Sequence, residues 1–304
     1  MQRAGLGRRW PMVERYADQA EGLRRLLASQ GPRVVTLVAG RGGVGRTTVV
    51  ANLALALAAL GRRVLAVDGD AAAGNLNDLL RLKARFELAH VLAGDRTLGQ
   101  VLVRGPGGID MLPAARGLAQ LAGSGGRGGR WLLERLAALG AAPDFVLVDP
   151  GAGHGDVLLP TDSPAQELLL AVSPDPRSIT DGYGLLKRLA WRGALPPCRL
   201  LVCQAADAVQ AAAIHRNIAD VARRHAGIAL PLAGWIPADT TVNHALRLQR
   251  LVMEAAPGAP LARAVQQLAE TLLEPTRHPS GAAGGRMGME SLVGSRPGFV
   301  PVAA

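Results

Sequence analysis

VVTLVAGRGGVGRTTVVANLALALAALGRRVLAVDGD, residues 34–70, decides the fold. The apolar run from Val34 to Ala39 reads as a buried strand, and it feeds directly into GRGGVGRTT, Gly40 to Thr48. Val49 to Leu60 then continues as an alanine and leucine helix stopped by Gly61, and Arg63 to Val67 forms a second strand ending on Asp68. That is a βαβ unit with glycines at its first strand-to-helix turn, the context that makes a glycine pattern a phosphate site. Gly42, Gly43 and Gly45 let the backbone turn its N–H groups inward around Val44, and the helix opening near Arg46 adds partial positive charge toward a β and γ phosphate. Thr47, followed by Thr48, places a hydroxyl where Mg²⁺ is expected. Asp68 and Asp70 end the second strand, and Asp149 ends the strand FVLVD. Carboxylates at such strand ends share one crevice, where they hold metal-bound water or orient an attacking water. A glycine turn with no ligand is the competing reading, and these carboxylates speak against it.

Working outward, further strands are expected at Ile109 to Leu112, Phe145 to Val148, Leu168 to Val172, Leu200 to Cys203 and Leu232 to Ile236. Helices are expected near Gly129 to Leu139, Ile179 to Trp191, Ala208 to His225, Thr241 to Leu248 and Leu261 to Leu273. The alternation implies an α/β fold, a doubly wound and mainly parallel sheet with helices on both faces and ligands at the carboxyl ends of the strands. Upstream, DQAEGLRRLLAS, Asp18 to Ser29, has the spacing of a short amphipathic helix. Gly123 to Arg130, GSGGRGGR, reads as a mobile glycine loop, and the segment from Pro279 onward is rich in Gly, Pro and Ser. The expected organisation is an N-terminal extension over 1–31, a nucleotide-binding domain over 32–275 and an unstructured tail over 276–304.

The 304 residues are 49% hydrophobic and only 3% aromatic, which suits closely packed helices on a parallel sheet. A formal charge of +10 invites a nucleic-acid or anionic-membrane reading, yet the cations are dispersed singly or in pairs, so a solvated basic surface is the better reading and no specific nucleic acid is expected. Lys83 and Lys187 are the only lysines, so 32 of the 34 basic side chains are arginine. Cys198 and Cys203 read as small buried hydrophobes in a reducing cytosol. No apolar run approaches the ~20 residues that cross a bilayer, and no apolar segment follows the basic start, so a soluble cytoplasmic protein is expected.

The loop, the strand-end aspartates and the surrounding alternation resemble the MinD/ParA class of deviant Walker ATPases over roughly residues 33 to 273, whose loop has the form KGGxGK[ST][ST]. The resemblance implies ATP and Mg²⁺ as ligands, and a homodimer that sandwiches two nucleotides when ATP is bound. It further implies that the first loop position acts in trans, that the second contacts the β and γ phosphates, and that Asp70 positions the attacking water. Here both positions carry arginine, Arg41 and Arg46. Arg41 suits an arginine finger, whereas the planar Arg46 is harder to fit in a cramped loop, so binding is expected to survive and hydrolysis to be slow or absent. The class places an asparagine against adenine where this chain has Cys203, followed by Gln204; the segment IPAD keeps Pro237 and Asp239 near the base.

Within the class, three segments resemble the flagellar number regulators of the FlhG, or FleN, family. They are DQAEGLR (Asp18 to Arg24), DPGAGHGD (Asp149 to Asp156) and SPDPRSITDGYGLLKRL (Ser173 to Leu189). The first implies docking on the signal-recognition-type GTPase FlhF through Asp18, Gln19, Ala20, Leu23 and Arg24, with Gln19 entering its active site and stimulating GTP hydrolysis. Flagellar switch-complex proteins or a flagellar transcription activator are further partners that the family implies, as is a peripheral place at the inner membrane or cell pole. Membrane contact is weaker here, since Met287, Met289, Leu292 and Val293 lie among helix breakers. His154 reads as a surface or switch-loop residue. Two other readings stay open: a scaffold with a decayed nucleotide site, and a partition ATPase binding DNA nonspecifically, against which DQAEGLR speaks.

Overall fold

The computed structural model describes residues 31–71, 75–124, 126–140, 142–151, 166–193 and 195–274. The DQAEGLR segment, His154 and the segment from Pro279 lie outside these residues. Among the described residues, eight strands form one sheet in the order β3-β4-β2-β5-β1-β6-β7-β8. They span Arg33–Ala39 (β1), Val64–Asp68 (β2), Val103–Arg104 (β3), Asp110–Pro113 (β4), Phe145–Asp149 (β5), Gln166–Val172 (β6), Cys198–Ala205 (β7) and Leu232–Pro237 (β8). Every pairing is parallel except β3 with β4, a two-residue antiparallel edge.

Both faces of the central strands are buried, which is why they read as continuous apolar runs and not as alternations. In β1, Val35 and Leu37 pack into the cluster beneath the helices Arg46–Ala59 and Pro260–Leu273, while Val38 faces the opposite side beneath Pro176–Trp191 and Ala208–Ala226. The same division holds in β5, where Phe145 and Leu147 face the first cluster and Val146 and Val148 a third, built on the helices around Leu88, Leu118 and Leu132. The helix Arg46–Ala59 is itself covered on both sides, so ten of its fourteen residues are buried. Asn52, buried in the middle of this helix, is satisfied: it donates to the Thr48 carbonyl at 2.8 Å and accepts from the Met253 amide at 3.0 Å.

Two expectations need correction. Gly123 to Arg130 is not a loop throughout: helices run over Gly117–Gly123 and Gly126–Ala138. Burial of Leu132 and Leu136 supports the second helix, and the glycines permit its close start, since a Cβ at Gly128 would lie 2.5 Å from the Leu121 carbonyl oxygen. The region between β2 and β4, left unassigned by periodicity, holds the short helices Leu76–Leu79, Leu88–Leu92 and Leu98–Val101 and the edge strand β3. Helices of four or five residues are too short to display a period. Cys198 and Cys203 are unpaired and buried, as read, and burial pushes both thiols up to about 12.

At the end of the sheet away from the glycine loop, Glu167 at the start of β6 joins Arg33 of β1 (2.8 Å) to Arg199 of β7 (2.7 Å to Nε). Arg33 also donates to the Leu272 and Glu274 carbonyls, fastening the end of the last helix to the sheet. Glu167 is 2% exposed, so its removal strands two partly buried guanidinium groups. Glu167→Ala is expected to lower unfolding free energy by about 3 kcal/mol, the scale of a broken buried pair, as read by urea denaturation. A loss under 1 kcal/mol, the scale of an exposed pair, would show that this cluster does not hold the sheet end.

Candidate nucleotide-binding site

The sheet order places β1 between β5 and β6, and the chain leaves β1 at the point where successive connections diverge to opposite sides, the position at which open α/β sheets bind ligands. Gly40 ends the strand against the helix Pro176–Trp191, where an added Cβ would lie 2.2 Å from the Asp181 carbonyl carbon. Gly43 and Gly45 adopt φ of 82° and 94°, the left-handed region that only glycine enters without strain. Gly45 caps the helix Arg46–Ala59, so the unpaired amides of its first turn meet the loop. Among the described residues nothing approaches within 4 Å of a Cβ built at Gly42 or Gly43, which leaves the loop open on its ligand side.

That side is the floor of a cavity of about 760 Å³. Around it the structure gathers Arg41, Gly42, Gly43, Val44, Gly45, Arg46, Thr47 and Thr48 with Asp70, Cys203, Pro237 and Asp239. These come from the first turn, the end of β2, the end of β7 and the end of β8, a convergence of segments up to about 200 positions apart in sequence. Asp68 and Asp149 are not among the lining residues; they stand as register partners on β2 and β5 behind it.

Asp68 is 1% exposed and accepts from the Asp70 amide (3.2 Å), the Asn77 amide (3.1 Å) and Asn77 Nδ2 (2.8 Å). Burial raises its pKa to about 6 in spite of those bonds, with the charges of Asp149 and Asp70 adding to the rise. Asp149, fully buried, accepts from Arg46 Nε at 2.5 Å and from the Gly151 amide at 3.2 Å, both on Oδ1; among the described residues its Oδ2 has no hydrogen-bond partner. Arg46 is 7% exposed and also reaches the Gly151 carbonyl (3.0 Å) and Asp70 Oδ2 (3.5 Å). The guanidinium therefore turns from the loop toward the carboxylates.

For a divalent cation the fit is divided. Thr47 lines the cavity at the head of the helix and suits the role. Asp149 suits it poorly, because Arg46 already compensates its charge, and Asp68 is buried with both oxygens accepting from the Asp70 and Asn77 donors; among the described residues no three His, Cys, Asp or Glu side chains form a metal-holding group.

Arg41 pairs with Asp175 at 2.9 Å, both partners more than a third exposed. At the base end, Cys203 borders the cavity but its thiol is 1% exposed and belongs to the core. The next residue, Gln204, was left without a role by sequence reasoning. It sits at a register shift in the β7–β8 pairing, has φ of 60°, and donates from Nε2 to the Gly43 carbonyl at 2.8 Å. Alternation does not announce Gln204, because β7 is buried on both faces and Val202, the other neighbour of Cys203, is buried too; the polarity of Gln204 at the end of an apolar strand is the signal. Asp239 accepts from the Thr241 amide and hydroxyl and from the Leu261 amide (2.9, 2.6 and 2.9 Å). Burial works to raise its pKa, but these bonds outweigh it and hold the carboxyl below the ordinary value. Its geometry is that of a brace joining the β8 turn to the last helix. Asp18, Gln19, Ala20, Leu23 and Arg24 fall outside the described residues.

Residues 35–273 match the family model for the CobQ/CobB/MinD/ParA nucleotide binding domain. The chain is 36% identical over 238 residues to a protein of Pseudomonas aeruginosa named antiactivator FleN, covering 78% of this chain and 85% of that one. It is 24% identical over 268 residues to the flagellum site-determining protein YlxH of Helicobacter pylori, covering 84% and 90%. Among solved structures, the septum site-determining protein MinD of Pyrococcus horikoshii complexed with Mg-ADP aligns with a TM-score of 0.61 at 25% identity, over 80% of this chain and 96% of that one.

The raised pKa of Asp68 gives a pH signature. Between 3.8 and about 6 the folded chain holds this proton more tightly than the unfolded chain, so the stability it contributes is complete below 3.8 and is lost as pH rises through about 6. Asp68→Asn removes that loss: relative to wild type, its unfolding free energy is expected to climb by roughly 3 kcal/mol across the window and stay flat above it. A stability difference independent of pH across the window would contradict the raised value.

Proposed function

We propose that this chain, which belongs to the CobQ/CobB/MinD/ParA nucleotide-binding family, is a regulator of flagellar number and placement that binds ATP in the cavity above Gly42 to Thr48. The observation that carries the ligand is the left-handed glycine turn opening a helix at the floor of that cavity, where amides and helix charge meet phosphate. The flagellar role rests on the likeness to antiactivator FleN and to the flagellum site-determining protein YlxH.

In this reading the triphosphate lies along the loop, the Gln204 amide and Pro237 border the base, and Thr47 is the side chain that would hold Mg²⁺, whose chemistry is to neutralise charge on the phosphates. Asp70 orients the attacking water. The hydrolytic step is slow or absent, because Arg46 faces Asp149 and Asp70 and contributes no cation to the transferred group. ATP drives dimerisation through the nucleotide face, with Arg41 reaching the partner's nucleotide. Its present ion pair with Asp175 is exposed and worth about 0–1 kcal/mol, so its release costs little. Residues 1–31 form the arm that docks on an FlhF-type GTPase through Asp18, Gln19, Ala20, Leu23 and Arg24, residues 32–275 the nucleotide domain and 276–304 a tail. No helix among the described residues is long and apolar enough to cross a membrane. The place of action we propose is the cytoplasm, with peripheral contact at the inner membrane or pole.

The orientation of Arg46 favours one alternative, a scaffold whose nucleotide site has decayed. Calorimetric titration with ATP separates the two: binding is expected for the regulator, and no heat at millimolar nucleotide would favour the scaffold. Arg41→Ala is expected to preserve nucleotide affinity while abolishing ATP-dependent dimers in sedimentation velocity; unchanged dimers would remove its role in trans. Gln19→Ala is expected to abolish stimulated GTP turnover by an FlhF-type partner, and an undiminished rate would sink the docking role.

A further inference from the structure

A phosphate-loop site needs positive charge in two places, along the phosphates and at the carboxylate that closes the neighbouring strand. In this chain one guanidinium is committed to the second. Arg46 leaves the first helical turn 7% exposed and places three nitrogens on three groups from two strand ends: Nε 2.5 Å from Asp149 Oδ1, Nη1 3.0 Å from the Gly151 carbonyl, and Nη2 3.5 Å from Asp70 Oδ2. Five donors fixed in a plane allow that span, which the point charge of a lysine does not reproduce. Asp149, with no exposure to solvent, is therefore compensated from within the protein.

A hydrated divalent cation approaching Asp149 would meet a carboxylate already paired, beside a fixed positive charge. Attraction to the one and repulsion from the other act over similar distances and largely offset each other. The unpartnered Oδ2 can accept a hydrogen bond from water but adds no net charge for a metal to find. What remains for the cation is the phosphates, which it also enjoys in free solution, the Thr47 hydroxyl, and Asp70, whose carboxylate already shares Arg46 at 3.5 Å; Asp68 lies buried behind them with both oxygens accepting from the Asp70 and Asn77 donors.

We infer that Arg46 takes the place of the divalent cation at Asp149, so that nucleotide affinity in this chain is uncoupled from Mg²⁺. The inference rests on the nucleotide-binding reading proposed above. The glycine amides and the helix N-terminus then carry phosphate recognition by themselves.

The test is calorimetric titration of the full chain with ATP in saturating Mg²⁺ and again in EDTA. For the wild type the two Kd values are expected to agree within about threefold. Arg46→Ala exposes the Asp149 carboxylate, and its Kd is expected to improve at least about tenfold when Mg²⁺ replaces EDTA. Mg²⁺ without nucleotide should raise the melting temperature of Arg46→Ala and leave that of wild type unchanged. If the variant does not fold, the wild-type pair of titrations decides alone. Wild-type binding that tightens by more than about threefold with Mg²⁺ overturns this inference and leaves nucleotide binding standing. Absence of binding in both buffers overturns the inference and the binding reading together.

Discussion

The ion pair between Arg46 and Asp149 joins the parts on which this site depends. One partner is the first residue of the helix after the glycine loop, and the other is the last residue of β5. β5 lies between β1 and β2, with Asp149 in register with Asp68, so the pair fixes the loop against the two strands whose ends carry the carboxylates. It also settles the electrostatics. With Asp149 fully buried and Arg46 nearly so, removing either charge strands the other, a penalty of about 3–5 kcal/mol. The orientation of Arg46 is thus held by the energetics of the fold, and the ligand must be accommodated around it.

The consequence is a division of labour unlike that of a lysine loop. In the proposed reading, phosphate is left to backbone amides and to a helix end, which are permanent and need no counter-ion. The carboxylates are left to arginine. Such a site supports a nucleotide as a conformational signal better than as a fuel, because the charge that stabilises a transferring phosphoryl group is spent on the protein's own aspartates. At the other end of the cavity, Asp239 is spent in the same way, on the Thr241 and Leu261 amides, while Gln204 bridges to Gly43 and so ties the base wall to the phosphate loop.

How legible all this was depended on whether a feature is local. The strand, loop and helix from Val34 to Leu60 could be read because a strand buried on both faces is apolar nearly throughout and because glycine is favoured where φ is positive, as at Gly43 and Gly45. The carboxylates could be placed at strand ends for the same reason. Gly123 to Arg130 misled, since glycine there serves close packing of the Gly126–Ala138 helix on Leu121 and not mobility. The short helices between β2 and β4 are defined by caps and tertiary burial, which no periodicity records. Cys203 was assigned by alignment of pattern, whereas the register shift at Cys203 and Ala205 gives the exposed position to Gln204. The direction of a long side chain is the least local property of all, and the turn of Arg46 toward Asp149 had no signal in sequence beyond the residue type itself.

The most direct measurement of the central claim is a crystal structure of the chain with a non-hydrolysable ATP analogue. The account predicts phosphates seated on the amides of Gly42 to Thr48 while Arg46 Nε keeps its hydrogen bond to Asp149. A guanidinium swung out of that pair and onto the β and γ phosphates would contradict it.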